Sequence, residues 1–253
     1  MRAESPTHAI LLPSYNSGEQ LSRTLEAILP VWRPVYVVID GSTDGSGQAA
    51  QARFADEPGC HFQFLPQNSG KGGAVLAGLK WMEREGKTHA LVMDADGQHP
   101  VESIATFMQT SFLHPHSMIL GVPVFGPDAP KERVRGRLVG NGFAHLATWW
   151  GGIQDSLFGF RVYPVKTARR MMESLRTARR FDFDTELAVR LYWSGVEPIN
   201  LPAPVRYPAK TDGGVTHFHY LRDNLLLVGT HTRLFFGMLR RIPQLAQRRF
   251  RSR

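Results

Sequence analysis

At 253 residues, with 42% hydrophobic and 21% charged residues, the chain has the composition of one ordinary globular α/β domain or two small ones, which excludes collagen, coiled coil and wholesale disorder. Its single cysteine, Cys60, rules out a disulfide framework and a thiolate metal cluster, and no apolar run approaches the ~20 residues of a membrane-spanning helix. Thirty basic against 22 acidic residues give a net charge of +8, and the start of the chain lacks the basic-then-apolar layout of a secretory signal.

Short apolar runs alternate with helical periodicity through the first two thirds of the chain. Ala9-Ile-Leu-Leu-Pro13 reads as a buried strand, followed by a helix over residues 17–29 with Leu21, Leu25, Ile28 and Leu29 on one face. Val35-Tyr-Val-Val-Ile39 is a second strand ending at the turn-forming Asp40-Gly41, residues 46–55 are helical, and His61-Phe-Gln-Phe-Leu65 is a third strand. A helix over residues 72–85 turns Val75, Leu76, Leu79 and Met82 inward; His89-Ala-Leu-Val-Met93 is the fourth strand. A helix over residues 100–113 and a fifth strand, Met118-Ile-Leu-Gly121, complete a succession that argues for right-handed βαβ units and a mostly parallel sheet.

The remainder is less regular. A Pro- and Gly-rich loop over residues 123–130 leads to a basic helical stretch over 131–150, and residues 155–163 read as a short strand with a turn at Gly159. Residues 165–175 and 185–193 read as helices, and 199–207 as an edge strand broken by Pro202 and Pro204. The expected organisation is one domain over residues 1–218 and a basic amphipathic tail over 219–253.

No acidic residue follows Asp223, whereas Arg233, Arg240, Arg241, Arg248, Arg249, Arg251 and Arg253 do, so these seven arginines leave about +1 for the rest. A nucleic-acid groove would spread basic side chains over the folded body, so nucleic acid is not an expected partner. Leu221, Leu225, Val228, Phe235, Leu239 and Ile242 fall on one helical stripe, with Arg222, Arg233 and Arg240 on the other side and Pro243 ending the helix. Such a helix either packs on its own domain or lies in the interface of an anionic membrane.

Ligands of open α/β sheets bind outside the carboxyl ends of the strands. Here those ends carry Pro13-Ser-Tyr-Asn16, Asp40-Gly-Ser-Thr-Asp44, Asn68-Ser-Gly-Lys-Gly72 and Asp94-Ala-Asp96-Gly-Gln-His-Pro100. Each alone has an ordinary structural explanation, as turn or helix cap; four in succession point to a nucleotide diphosphate. Asp94 and Asp96 are hard oxygen ligands suited to Mg²⁺ or Mn²⁺ shared with phosphate oxygens. Asp40 can accept from a ring N–H or a ribose hydroxyl, and Lys71 among glycines allows close backbone approach plus one positive charge. Neither a Gly-x-Gly-x-x-Gly fingerprint nor the Gly-Lys-Ser/Thr of a P-loop is present at these positions.

Those four segments, with Asp155-x-x-x-Gly-Phe-Arg161 and Phe183-Asp-x-Glu-Leu187, resemble family 2 glycosyltransferases, and within them the dolichyl-phosphate mannose synthase-like branch. The resemblance covers residues 9–207. It implies the GT-A fold, a divalent cation, a nucleotide-sugar donor, a lipid-linked acceptor and inversion by single displacement, at the cytoplasmic face of a membrane. It assigns Pro13, Tyr15, Asn16, Asp40 and Lys71 to the nucleotide, Asp94 and Asp96 to donor phosphates and metal, and Gln98 to the sugar.

The chain departs from that pattern in three places. Ile39 stands where a first acidic residue is usual, Ser17 where a glutamate often follows Tyr-Asn, and Gly121-Val-Pro123 where the polyprenyl-phosphate branch commonly has Gly-Ser-Arg. Arg133, Arg135 or Arg137 is then the replacement cation for an acceptor phosphate. A phosphate acceptor needs no general base, whereas a hydroxyl acceptor does. Asp184 and Glu186 are the candidates for that base, Glu186 alternatively pairing with Arg179, Arg180 or Arg190. Asp155 and Arg161 read as acceptor-side residues or an ion pair, His99 as a helix start and Lys210 as part of a lid or as a solvated lysine. A non-catalytic nucleotide-sugar-binding module is the alternative from another class.

Overall fold

The computed structural model describes residues 3–126, 131–175, 177, 180–205 and 220–251. In chain order it builds β1 (Ala3–Glu4), β2 (His8–Ser14), α1 (Gln20–Ile28), β3 (Trp32–Arg33), β4 (Val35–Asp40), α2 (Ser46–Arg53) and β5 (Cys60–Leu65). There follow α3 (Lys71–Arg84), β6 (His89–Val92), a 3₁₀ turn at Val101–Ser103, α4 (Ile104–Leu113), β7 (Ser117–Phe125) and α5 (Lys131–Ala147). The chain continues through β8 (Arg161–Pro164), α6 (Val165–Ser174), α7 (Phe183–Trp193), β9 (Glu197–Val205), α8 (Tyr220–Leu239) and α9 (Ile242–Arg251).

Seven strands form one sheet in the order β5-β4-β2-β6-β8-β7-β9. All neighbours pair in parallel except β8, which runs antiparallel to both β6 and β7. Side chains alternate across a strand, and both faces here are covered. Ala9, Leu11, Tyr36, Val38, Ala90 and Val92 pack with α3, α6 and α7 on one side. Ile10, Leu12, Val35, Val37, Ile39 and Leu91 pack with α1 and α4 on the other. This double burial explains why β2, β4 and β6 read as unbroken apolar runs, and each buried Val, Leu or Ile contributes roughly 1.5–3 kcal/mol.

The reversed β8 matters for the site. Val92 at the carboxyl end of β6 pairs with Arg161 at the start of β8, so residues 155–160 are delivered to the edge where the parallel strands end. Residues 155–160 are loop, not the strand expected there. The fifth strand runs on through Pro123 to Phe125, because it pairs with β9 along its length.

The tail differs from the expected stripe. Thr230, Leu234, Met238 and Leu245 pack on the body, while Leu225 (71%), Val228 (61%) and Leu239 (43%) are exposed. Arg233 turns toward acidic residues of α7 instead of solvent, and Pro243 lies in the first turn of α9, where its missing N–H costs nothing. Leu138, Val139 and Phe143 of α5 are also exposed, and Phe143 stacks on His231 of α8 at 4.9 Å. No helix among the described residues is long and apolar enough to cross a membrane.

At the opposite edge of the sheet, His8 stacks on His89 (4.3 Å between centroids) and on Phe112 (3.7 Å). Burial holds its pKa down at about 4. The unfolded chain therefore takes up a proton near pH 6.5 that the fold refuses until about pH 4, and stability falls across that window as pH falls. The effect is worth up to ~3 kcal/mol. Urea midpoints of the wild type should drop between pH 7 and 4.5 more steeply than those of His8→Gln; equal slopes would refute this assignment.

Candidate active site

Three loops meet at the carboxyl ends of the adjacent strands β4, β2 and β6. Asn16, with φ of 44°, donates its backbone N–H to Ser42 Oγ (3.0 Å), and its side-chain oxygen accepts from the N–H of Thr43 (2.8 Å). Asp44 accepts from the N–H of Gly18 (3.0 Å) and from the N–H of Ser46 (3.1 Å), tying the same two loops together at the start of α2. Asp40, 3% exposed, accepts on Oδ1 from both the N–H (2.8 Å) and the hydroxyl (2.7 Å) of Ser69. Gly41 has φ of +65°, and a Cβ there would lie 2.5 Å from the Asn68 nitrogen, so only glycine permits this approach.

Ser69 leads directly into Lys71, the first residue of α3. The Lys71 ammonium lies 2.7 Å from Asp94 Oδ1 and 3.2 Å from Asp184 Oδ2, in the first turn of α7. One buried cation thus stands between two carboxylates, and these hold the lysine firmly protonated despite burial. Burial pushes the Asp184 carboxyl above the usual range, opposed by Lys71 and Arg161. Its second oxygen, Oδ1, is buried without a hydrogen-bond partner. The delivered loop closes on this cluster: a Cβ on Gly159 would meet Lys71 Nζ at 2.6 Å and Asp94 Oδ2 at 3.4 Å.

Asp94 is oriented by His99. The Asp94 N–H donates to His99 Nδ1 (2.9 Å), and His99 Nε2 faces Asp94 Oδ2 at 3.7 Å. Burial lowers the His99 pKa to about 4, so the ring is neutral, with Nδ1 accepting and Nε2 carrying the hydrogen. From α1, Thr24 donates to the Ala95 carbonyl (3.1 Å), and the N–H of Gln98 closes a turn on Asp96 Oδ1 (3.0 Å). Burial and the neighbouring Asp94 charge raise Asp96 to about 6.

The residues present fit a divalent cation. Two carboxylates repel each other at Asp94 and Asp96, and a third presents an unpartnered buried oxygen at Asp184. No group of three or more acidic, histidine or cysteine side chains among the described residues forms a ready cage. Mg²⁺-type ions are held in that manner, by one or two carboxylates, with phosphate oxygens completing the shell.

Of the sequence-selected positions, Asp40, Lys71, Asp94 and Asp184 are linked through Ser69 and Lys71, and Asp96 lies two residues beyond Asp94 on the same loop. Pro13 is buried in β2, and Tyr15, Asn16 and Gln98 are half-buried beside it or on the Asp94 loop. Glu186 lies elsewhere. It is fully buried, with Oε1 bound by Arg190 (2.7 Å) and Oε2 by Arg233 (2.9 Å). Asp155 and Arg161 do not pair through their side chains. Asp155 binds Arg137 (2.7 Å) and Asn141 (3.0 Å), whereas Arg161 donates to the carbonyls of Phe158 (2.7 Å) and Asp184 (2.6 Å). Sequence reasoning missed Ser69 and the orienting role of His99; the Gly159 contact is legible only once β8 is known to run backwards. Lys210, Arg179 and the side chains of Arg133 and Arg135 lie outside the described residues.

Comparison with known proteins identifies the family and the fold. The chain is 25% identical over 206 residues to the undecaprenyl-phosphate mannosyltransferase of Micrococcus luteus, covering 76% of this chain and 80% of the relative. It is also 25% identical to the polyprenol monophosphomannose synthase of Mycolicibacterium smegmatis, over 76% of this chain and 75% of that one. The fold resembles glucosyl-3-phosphoglycerate synthase from Mycobacterium tuberculosis, solved with Mn²⁺, UDP-glucose and glycerol 3-phosphate. That match has a TM-score of 0.56 at 16% identity and covers 92% of this chain and 78% of the other. Residues 9–171 match the model of glycosyl transferase family 2, and the chain belongs to that family, with its GT-A fold.

Proposed function

We propose that this chain moves a hexose, with inversion, from a nucleotide-sugar donor to the phosphate of a polyprenyl-type lipid at the cytoplasmic face of a membrane. The observation that carries the reading is the partly buried Lys71–Asp94–Asp184 cluster, with Asp96 beside it on the Asp94 loop. The two mannosyl-transferring relatives, named for undecaprenyl phosphate and polyprenol, support the acceptor class.

The loops holding Pro13, Tyr15, Asn16 and Asp40 would receive the nucleoside. Asp94 and Asp96 would hold Mg²⁺ or Mn²⁺, which when bound neutralises charge on a departing diphosphate. Gln98, on the same turn, would face the sugar. Lys71 keeps Asp94 and Asp184 at a fixed separation, and Gly159 leaves room for its ammonium. Arg137, whose guanidinium lies 5.6 Å from the Phe125 ring centroid at the end of β7 and pairs with Asp155 at 2.7 Å, would have to share its charge with that carboxylate to meet an acceptor phosphate where Gly121-Val-Pro123 offers no cation.

One observation favours a second reading, transfer to a hydroxyl of a lipid or glycan. The raised Asp184 carboxyl has an unpartnered oxygen, as a general base would need. Turnover of UDP- and GDP-linked hexoses with undecaprenyl phosphate, with and without chelator, tests the reaction. Transfer that chelation abolishes and Mn²⁺ restores is expected, and no turnover of any donor would overturn it. Asp184→Asn separates the acceptors: a loss of about tenfold or less fits a phosphate, whereas about 1,000-fold or more fits a hydroxyl deprotonated by Asp184.

The exposed apolar side chains of α8, with the acid-free, arginine-rich stretch after Asp223, are proposed to rest on anionic lipid. The intact protein should sediment with phosphatidylglycerol-rich vesicles, and Leu225→Ser/Val228→Ser/Phe236→Ser should weaken binding at least about tenfold. Unchanged binding would mean that this face does not meet the membrane.

A further inference from the structure

Asp184 occupies the first turn of α7, and the residues two positions to either side, Asp182 and Glu186, are also acidic and buried. Successive positions in an α-helix differ by about 100°, so Asp182 and Glu186 share one face and Asp184 takes the other. Asp184 faces Lys71. Its two neighbours face α8. Asp182 Oδ2 accepts from the Thr230 hydroxyl at 3.2 Å and lies 3.9 Å from Arg233 Nη2. Glu186 Oε2 accepts from the same Arg233 nitrogen at 2.9 Å, and that nitrogen also donates to Thr230 Oγ1 at 2.7 Å.

The helix pair is pinned farther along as well. Gly237 lies against Trp193, where a Cβ would come within 2.7 Å of the indole, and the Arg241 guanidinium lies 4.7 Å from the Trp193 ring. Arg248 of α9 binds the carbonyls of Tyr192, in the last turn of α7, and of Val196, just past its end. One helix is therefore gripped over its whole length by the tail, and its reactive turn is gripped by a charged network at whose centre stands Arg233.

We propose that Arg233 is a positioning residue for Asp184: by clamping Asp182 and Glu186 it fixes the α7 turn that presents the Asp184 carboxylate to Lys71. This rests on the glycosyltransfer reading for its kinetic consequence, though not for its structural one. Arg161 secures the same turn from the opposite side through the Asp184 carbonyl. The arginine of α8 accounts for burial of Glu186 as a charged group: two arginines, Arg190 and Arg233, each hold one of its oxygens. It also joins the apolar face of α8 to the site by three side chains.

Steady-state kinetics of the full chain test this, with the nucleotide-hexose selected by the turnover assay and undecaprenyl phosphate. Arg233→Met should lower kcat by about fivefold or more while donor KM changes less than about twofold, and Arg233→Lys should recover most of the loss. In an Asp184→Asn background, Arg233→Met should cost less than about twofold, because both changes remove the same placement. Full, multiplicative loss in that background would overturn the proposal, as would wild-type kcat in Arg233→Met. Should Arg233→Met fail to fold, Arg233→Gln and Thr230→Val answer the same question, each with the same expected fall in kcat. Hydrogen exchange at the amides of residues 183–187 separates this inference from the reaction itself. Faster exchange in Arg233→Met by at least about tenfold sustains the clamp even if no donor is turned over, and unchanged exchange refutes it.

Discussion

A single ammonium held between two carboxylates ties together the carboxyl-terminal edge of the sheet, where the candidate site lies. Lys71 begins α3, Asp94 follows β6 and Asp184 opens α7, so one side chain joins a helix start, a strand end and a distant helix. Burial of unlike charges is stable only when the partners are close and well bonded. That requirement sets the surrounding choices: glycine at 159, neutral His99 behind Asp94, and Arg161 against the Asp184 carbonyl. The result is a locally anionic edge, with two carboxylates on one lysine and a third, Asp96, pushed up by burial and by the neighbouring Asp94 charge. Such an edge favours a cation that brings phosphate with it.

The tail has two unlike faces. Thr230, Leu234 and Met238 pack inward, and Arg233 reaches the α7 acids, while Leu225, Val228 and Phe236 look outward beside Leu138 and Val139 of α5. A lipid acceptor must be met at a surface, and its reacting group must reach the strand ends. A helix packed on α7 by one face and on lipid by the other would meet both needs without spanning the bilayer.

Much of the frame was legible because β2, β4 and β6 are buried on both faces and carry no polar alternation to confuse the reading. Asp40, Asp94 and Asp96 could be singled out as candidates because strand ends in parallel sheets are where ligands bind. What escaped prediction depended on tertiary pairing. Residues 155–160 read as strand, yet β8 is only Arg161–Pro164, matching the four residues of its antiparallel partner β6. The α8 stripe of Leu225, Val228 and Phe235 had the right periodicity, but Thr230, Leu234 and Met238 make the body contact. Periodicity shows that a helix is two-faced, and it takes a partner such as Trp193 or Glu186 to say which face goes in. The pairing of Glu186 with Arg190, four positions on, was among the expectations, whereas its second partner, Arg233, lies 47 positions later and could not be read from local spacing.

Titration of Mn²⁺ into the protein, alone and with UDP or GDP present, tests the central claim most directly. Carboxylates that hold a cation only together with a diphosphate should bind Mn²⁺ at least about tenfold more tightly when nucleotide is present, with the reciprocal gain for nucleotide, and Asp96→Asn should erase that coupling. Metal and nucleotide binding independently of one another, or Asp96→Asn leaving their coupling intact, would contradict it.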